Sequence, residues 1–576
     1  MEKALSRIAW ALVLAAAAGA LWHALWVGTV TDDAGISLAY ARSLASGSGL
    51  RLTALSPRVE AYSDPLWVLW LALGYALGAS GAVFAQWSGA LCAAAAVVLV
   101  GLLPSRAEGR PLRLGDAAAP AILAFDTTYA FWAGAGLESG AFALALSAAM
   151  LLSASGNLWS AVPAGLLCLL RPEGPLYVAA FALVLFVKGP EARSPKPAAA
   201  VRWLTLAAAP FLLWLAFRRA YYGAWLPNSF YAKRHWDFGG FWYLNDWFRS
   251  DPWHWALLLA PLVLLARRTR HAALLALGPC AAAVAFIFFS RGDWMSEHRF
   301  AAHALPAAAL AVGLVPAALQ DLSRARALGW TAALALVAAA VVPARARSLD
   351  RKRNPVLPLT YVEEQARWFR AAALRLGLTR PRIAHFDLGG LALESGGEVI
   401  DLGGLADLYI GRVGYQAQAA VRDYLFDEAK PELLNIHGPC GYLRNDPRLA
   451  RDYQLAASGL WGENFVRRSL ERGVDERCPA QGVRYLAREG TLVALLESSS
   501  ALAARDLWLC ARAHLEVLPD VTQLAALLAA SGMREPDPAR AKALLDAAVT
   551  LDPELAAAGQ RLLELRLSRA RPPSRR

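Results

Sequence analysis

Apolar residues come in long blocks rather than in alternation. They fill residues 8–30, 84–103, 117–133, 138–156, 158–171, 174–188, 203–217, 252–266, 272–290, 302–318 and 328–343, roughly eleven stretches. Most approach the ~20 residues a helix needs to cross a bilayer. PLWVLWLALGYALG at 65–78 is apolar but short, and is expected to lie along the interface or dip into it. The first block begins MEKALSRIAW and continues to about Val30, with Trp22 and Trp26 where a small-residue cleavage site should stand. It is therefore expected to be an uncleaved first crossing with its N-terminus inside.

The polar intervals between blocks are of two kinds. One kind is plainly basic: PSRAEGRPLR (104–113), KGPEARSPK (188–196), ARRTRH (266–271) and SRAR (323–326). By the positive-inside rule these face the cytoplasm. The other kind mixes acids, aromatics, Asn, His and single bases: DDAGISLAYAR, GLESG, RPEG, AYYGAWLPNSFYAKRHWDFGG and SRGDWMSEHRF. A chemical site belongs with the second kind, on the outer side. Beyond Ala344 the pattern changes. RARSLDRKRNPVLP is a basic linker, TYVEEQARWFRAAALRLG has helical period, and RIAHFDLGG and GEVIDLGG are short buried strands ending in Gly turns.

The expected organisation is a transmembrane domain over 1–343 with its first external loop at 31–64, and a linker over 344–359. An extracytoplasmic α/β domain over 360–500, a helical appendage over 501–567 and a disordered basic tail over 568–576 complete it. Within the appendage, ARAKALLDAAVTLDPELAAAGQRL resembles one tetratricopeptide-type unit.

Composition sharpens this picture. The chain has 576 residues, is 57% hydrophobic and only 18% charged, so the expected class is an α-helical polytopic membrane protein. Its net charge of +12 lies in short loops between apolar blocks, which argues against nucleic-acid binding. Cys92, Cys168 and Cys280 fall in apolar blocks as small core residues, while Cys440 and Cys478 lie where a disulfide could form.

Candidate chemistry starts at Asp32-Asp33, just past the first block. Two carboxylates at a membrane edge need water, a metal or a basic partner. Either they cap the following helix, or one draws a proton from a hydroxyl while the other orients a donor or holds an ion. Each further candidate likewise has two readings. Glu138 is a first-turn acid or a site carboxylate, and Arg171 with Glu173 is an interhelical ion pair or part of the cavity. Asn228 is a turn residue or a contact, and Lys233 snorkels or binds phosphate. Asp293 and Arg299 pair with each other or with substrate. His298 is a structural histidine or a site group, and Tyr231 and Trp294 are belt aromatics or sugar platforms.

Taken in order, six motifs carry a resemblance: DDAGISLAYARSLASGSGL…VEAYSDPLW, GLESG, LLRPEG, YYGAWLPNSFYAK, RGDWMSEHRF and VIDLGGLADLYIGR. They resemble the C-type-fold (GT-C) membrane glycosyltransferases that use polyprenyl-phosphate sugars, most of all the mycobacterial terminal arabinofuranosyltransferases. Gly35 stands where that group has an aromatic residue, and Asp64 where it has Asn. The last motif matches a piece of the group's soluble domain.

The resemblance implies transfer of a sugar, arabinofuranose by the nearest match, from a polyprenyl phosphate to a hydroxyl of a glycan or protein, with inversion. It implies a site on the outer side of a bacterial inner membrane. Asp32 would be the base and Asp33 its neighbour for metal or donor; Arg171, Lys233 and Arg299 would hold the phosphate. Arg42, Glu60, Tyr62, Glu138, Glu173, Asn228, Tyr231, Asp293, Trp294 and His298 would bind substrate or shape the cavity. A divalent cation such as Mg, Mn or Ca at the two aspartates would suit hard oxygen ligands, and no organic cofactor is expected. Two other classes compete: a flippase for a lipid-linked sugar, and a scaffold recruiting partners through its C-terminal helices.

Overall fold

The computed structural model describes residues 2–187, 197–234, 239–459, 462–470, 521–552 and 555–570. They form two compact units. The first contains Met1–Leu52, Pro57–Leu359 and Gly404–Gly414; the second contains Thr53–Ser56, Thr360–Gly403 and Tyr415–Arg576.

The first unit is helical. Six helices are long and apolar enough to cross a membrane: Glu2–Val27, Gly81–Glu108, Ala198–Tyr222, Arg270–Ser290, Leu305–Ser323 and Arg326–Arg353. Shorter apolar helices, among them Ser139–Ala154 and Gly174–Leu185, occupy most of the other predicted blocks. The chain is thus a multi-pass membrane protein. Its outer faces carry Leu213, Val342 and Phe289 at 73%, 78% and 89% exposure. Water would penalise such a surface, and lipid would not.

Named in chain order, the helices that build the site are α1 (Glu2–Val27), α2 (Asp32–Ala45), α3 (Pro65–Ala76), α4 (Gly81–Glu108) and α5 (Ala118–Phe125). After them come α6 (Thr127–Ala133), α7 (Ser139–Ala154), α8 (Ala161–Leu170), α9 (Gly174–Val187) and α10 (Pro197–Tyr222). The last group is α11 (Asn228–Lys233), α12 (Gly240–Ser250), α13 (Ala260–Leu265), α14 (Arg270–Ser290), α15 (Arg299–Ala302), α16 (Leu305–Gly313), α17 (Val315–Ser323) and α18 (Arg326–Arg353).

Two predicted boundaries move. The block 117–133 is not one helix: Asp126 breaks it, its carboxylate accepting the Tyr129 N–H at 2.6 Å to cap α6. Nor is the basic stretch 344–353 a linker. It continues α18 to Arg353, because Arg347 and Arg351 find buried carboxylate partners at Asp251 and Glu297.

The second unit holds a five-stranded sheet of order β2-β1-β3-β5-β4. Strands β1 (Arg382–His385), β2 (Glu398–Asp401) and β3 (Leu433–Ile436) are parallel; β4 (Tyr453–Gly459) and β5 (Gly462–Arg467) add an antiparallel edge. The two strands expected from RIAH and EVID form in parallel register, Ile383 opposite Val399. Separately, the C-terminal helices Val521–Arg534, Pro538–Leu551 and Ala556–Ala570 share a core of Ala541, Leu545, Ala558, Leu562 and Leu565. Cys440 is buried as a free thiol, and Cys478, its suggested partner, lies outside the described residues.

Candidate active site

The chemistry-bearing side chains of the first unit sit at helix ends. Asp32 and Asp33 occupy the first turn of α2, whose N-cap residue Thr31 makes no side-chain capping bond. The dyad therefore does not serve as the cap. Its entry is fixed by backbone instead: Thr31 N–H donates to Ala135 O at 3.1 Å, and Asp32 N–H donates to Leu357 O at 3.0 Å. Asp32 is buried, while the Asp33 side chain keeps 24% exposure.

Asp33 Oδ2 accepts a 2.7 Å bond from Arg299 Nη1, and Arg299 Nε donates to Asp293 Oδ2 at 2.9 Å. Arg299 opens α15, so its guanidinium reaches an acid 266 positions away in the chain. The loop that delivers it is strained: Arg291, Glu297 and His298 all take positive φ, 61°, 65° and 48°. Non-glycine residues adopt that conformation only where the surroundings hold them. Here His298 Nε2 donates to Asp246 at 2.9 Å, and Glu297 is gripped by Arg347, Arg351 and Thr128.

A second network adjoins. Arg171, at the break between α8 and α9, donates to Glu138 at 2.8 Å and Glu173 at 3.0 Å, and His303 Nδ1 lies 3.0 Å from Glu173. Asp64 precedes the first turn of α3 without capping it, and its carboxylate accepts a 2.8 Å bond from Ser37. Burial first, and then the negative charge of Glu138, push its carboxyl well above the usual carboxylate range. Lys233 belongs to the same field. Burial and the charge of Arg299 lower its pKa, while Asp293 and Asp33 act in the opposite direction. Asp33, Asp293, Arg299, Lys233, Arg171 and Glu138 are thus brought together.

The motif GLESG shows how backbone places these groups. Gly136 has φ +79°, and its carbonyl accepts the Trp67 indole N–H at 3.1 Å. A Cβ on Gly140 would fall 2.0 Å from Gly89 O, so only glycine lets α7 meet α4 closely enough to set Glu138.

Other expected site residues do structural work. Asn228 Nδ2 reaches the carbonyls of Gly404, Leu405 and Asp407 at 2.9, 3.0 and 2.9 Å. Tyr231 lies under the Arg412 guanidinium, 3.5 Å from the ring centroid. Residues 404–414, expected in the soluble domain, are therefore part of the first unit. Glu60 pairs with Arg218 at 2.5 Å; burial still raises its pKa, with Arg218 opposing. Tyr62 is buried against Tyr40 and shares a 3.0 Å bond with Tyr222. Arg42 sits in the last turn of α2, about 15 Å along the axis from Asp32. Trp294 is exposed.

Sequence reasoning missed Arg218, His303, Glu297 and the two α18 arginines. A signal existed for each of the arginines: a base inside or just after an apolar block has to find a partner.

The two aspartates offer a poor cradle for a resident ion. They are neighbours on one helical turn, Asp33 is held by Arg299, and among the described residues neither belongs to a group of three converging metal-ligand side chains. Two other groups do converge: Asp126, Asp251 and His254, and His385, Asp387 and His437.

No protein-family model matches the chain, and no curated protein matches it in sequence. Solved structures do. ArnT from Cupriavidus metallidurans in the apo state is similar at 16% identity and TM-score 0.50, over 80% of this chain and 98% of that one. The same protein bound to undecaprenyl phosphate gives 16% and 0.49, with the same coverage. The Archaeoglobus fulgidus oligosaccharyltransferase, in complex with Zn and sulfate, gives 11% and 0.45 over 91% of this chain and 86% of that one. The likeness to apo ArnT supports the C-type fold expected from the six motifs, at the level of architecture.

Proposed function

We propose that the protein is an integral membrane glycosyltransferase that takes a sugar from a polyprenyl-phosphate donor and passes it to a hydroxyl of a glycan or protein. The observation that carries this reading is the cluster of Asp33, Arg299, Asp293 and Lys233 at the start of α2. It sets carboxylates beside cations at one end of the helices, as a departing lipid phosphate and an attacking hydroxyl require.

In the proposed reaction, Asp32 removes the proton of the acceptor hydroxyl. The oxygen attacks the anomeric carbon from the face opposite the phosphate, so the configuration inverts. The bond from that carbon to the phosphate oxygen breaks, and its electron pair leaves on the lipid phosphate. Lys233 and Arg299 take up that charge. Asp33 keeps Arg299 aimed. Arg171 was expected to bind the phosphate too, but both its acidic partners are shut from solvent, at 2% and 1% side-chain exposure. It frames the cavity with Glu138 and Glu173.

The motifs favour arabinofuranose as the sugar. They also favour a bacterial inner membrane, with the site and the soluble domain on the outer side. The test uses purified full-length protein in detergent with polyprenyl-phosphate arabinofuranose, or a hexose analogue, and an acceptor glycan. Inverted product, absent with Asp32→Asn, is expected. Donor binding without product would favour a flippase and overturn the assignment.

A further inference from the structure

A group of side chains in the second unit takes no part in that reaction. His385 ends β1, Asp387 follows it, and His437 follows the end of β3. Because the sheet order begins β2-β1-β3, the chain leaves β1 in one direction for β2 and then returns to pair β3 on the other side of β1. The carboxyl ends of β1 and β3 therefore flank a topological switch point, where open parallel sheets hold their ligands. One ligand atom from each of the three residues lies within 4.8 Å of the others, and the two imidazole centroids are 5.1 Å apart.

The hydrogen bonds around the group fix what each ring presents. His385 Nδ1 faces the Asp387 backbone, 2.9 Å from its N–H and 2.8 Å from its carbonyl oxygen. Its Nε2 carries the hydrogen and donates it to Gln365 Oε1 at 2.7 Å. His437 turns Nδ1 to Asn435 Oδ1, and Asn435 is itself oriented by donating to Asn464 Oδ1 at 2.7 Å. The other nitrogen of His437, Nε2, lies 3.0 Å from Asp387 Oδ2. Each imidazole is thus anchored through one nitrogen to an amide oxygen; the second nitrogen of His437 meets the Asp387 carboxylate, and that of His385 meets the Asp387 backbone. That is the outer-shell arrangement that orients histidines on a metal.

We propose that His385 Nδ1, His437 Nε2 and the Asp387 carboxylate bind one divalent transition-metal ion. Two imidazoles and one carboxylate suit zinc and its neighbours better than magnesium or calcium. Three protein ligands leave a coordination position for water or an acceptor oxygen. On binding, the ion takes the place of the proton between His437 and Asp387, and the Asp387 N–H gives up His385 Nδ1.

Full-length protein in detergent, stripped with chelator and titrated with Co(II) alone, tests this. The expected result is one equivalent bound, with visible absorption of a nitrogen- and oxygen-ligated ion that Zn(II) displaces. Asp387→Asn, which keeps the shape of the side chain, and His437→Ala should each abolish the absorption. Asn435→Ala, which removes only the outer anchor, should weaken binding about 10- to 100-fold. No Co(II) binding by the parent overturns the proposal. So does binding unchanged in Asp387→Asn and His437→Ala, which would put the ion elsewhere, such as at Asp126, Asp251 and His254.

Discussion

The first unit has two charged ends, and they are built differently. At one end, Glu108 closes α4 and ties two basic loops together: Arg110 at 2.7 Å from the first, Arg268 at 2.9 Å from the second, with Asp116 2.7 Å from Arg110. Arg113 hangs at 3.7 Å with half its side chain in solvent. A cavity of 300 Å³ opens there among Pro104, Leu112, Leu310 and Gln320. At the other end, Gly89 of the same helix meets Gly140, beside Glu138. The 19 residues between Gly89 and Glu108 make a separation of about 28 Å. Here Arg299 holds Asp33 and Asp293, Arg171 holds Glu138 and Glu173, and of these four acids Asp33 is the most open to solvent. Among the described residues, the basic loops 104–113 and 266–271 thus meet at one end and the acids and bases of the mixed loops at the other. At the basic end Arg113 and Arg268 reach water around the buried Arg110, and at the mixed end both Arg171 and Arg299 are closed in by their acids.

That contrast breaks most sharply at Asp32. Asp32→Asn should lower sugar transfer by about 10²- to 10⁴-fold, the contribution of a positioned base. Folding and insertion should be unchanged, as checked by gel filtration and helical circular dichroism. Arg110→Met at the far end should leave the rate within about twofold, because its partners lie about 28 Å from the chemistry.

Arg171 and Arg110 separate the two ends again in stability. Arg171→Met strands Glu138 and Glu173 without a cation in a dry site, and should cost about 3–5 kcal/mol by denaturant unfolding in detergent. Arg110→Met leaves Glu108 paired with Arg268 and strands only Asp116, and should cost less, about 1–3 kcal/mol. Adding Glu138→Gln and Glu173→Gln to Arg171→Met should recover most of the loss. Equal costs at the two ends would erase the distinction drawn here.

A smaller effect tests the structural reading of the mixed loops. Asn228→Ala removes the amide that holds the carbonyls of residues 404–407 and should cost about 1–3 kcal/mol locally. Faster amide exchange over 404–414, with transfer reduced less than in Asp32→Asn, would confirm that Asn228 positions chain rather than substrate.

The alternation of loop types made the gathering legible: Asp33 and Arg299 could be assigned to one side although 266 residues separate them. The apolar blocks also placed their helices, and RIAH and EVID their strands. What stayed hidden were partnerships set by packing. Glu60 looked like a substrate contact because its partner Arg218 lies at the end of an apolar block, where no local pattern names it. The basic run 344–353 looked like a linker because its helical continuation depends on Glu297 and Asp251, far away in sequence. Strands β3, β4 and β5 escaped because LLNI is short and buried on both faces, so it shows no alternation, and the other two depend on pairing with it.

The gentlest test concerns Lys233, the cation that links the opening to the closed network. Its pKa is held below that of a free lysine by burial and then by Arg299. Phosphate binding favours the ammonium form, so donor affinity should be full at lower pH. It should decline as pH rises through the lowered pKa, earlier than an exposed lysine would allow. Lys233→Met should raise the KM for donor about tenfold at neutral pH, about 1.4 kcal/mol, and should flatten that alkaline decline. An unchanged alkaline limb in Lys233→Met would move the phosphate contact to Arg299 alone, whose charge does not titrate in this range.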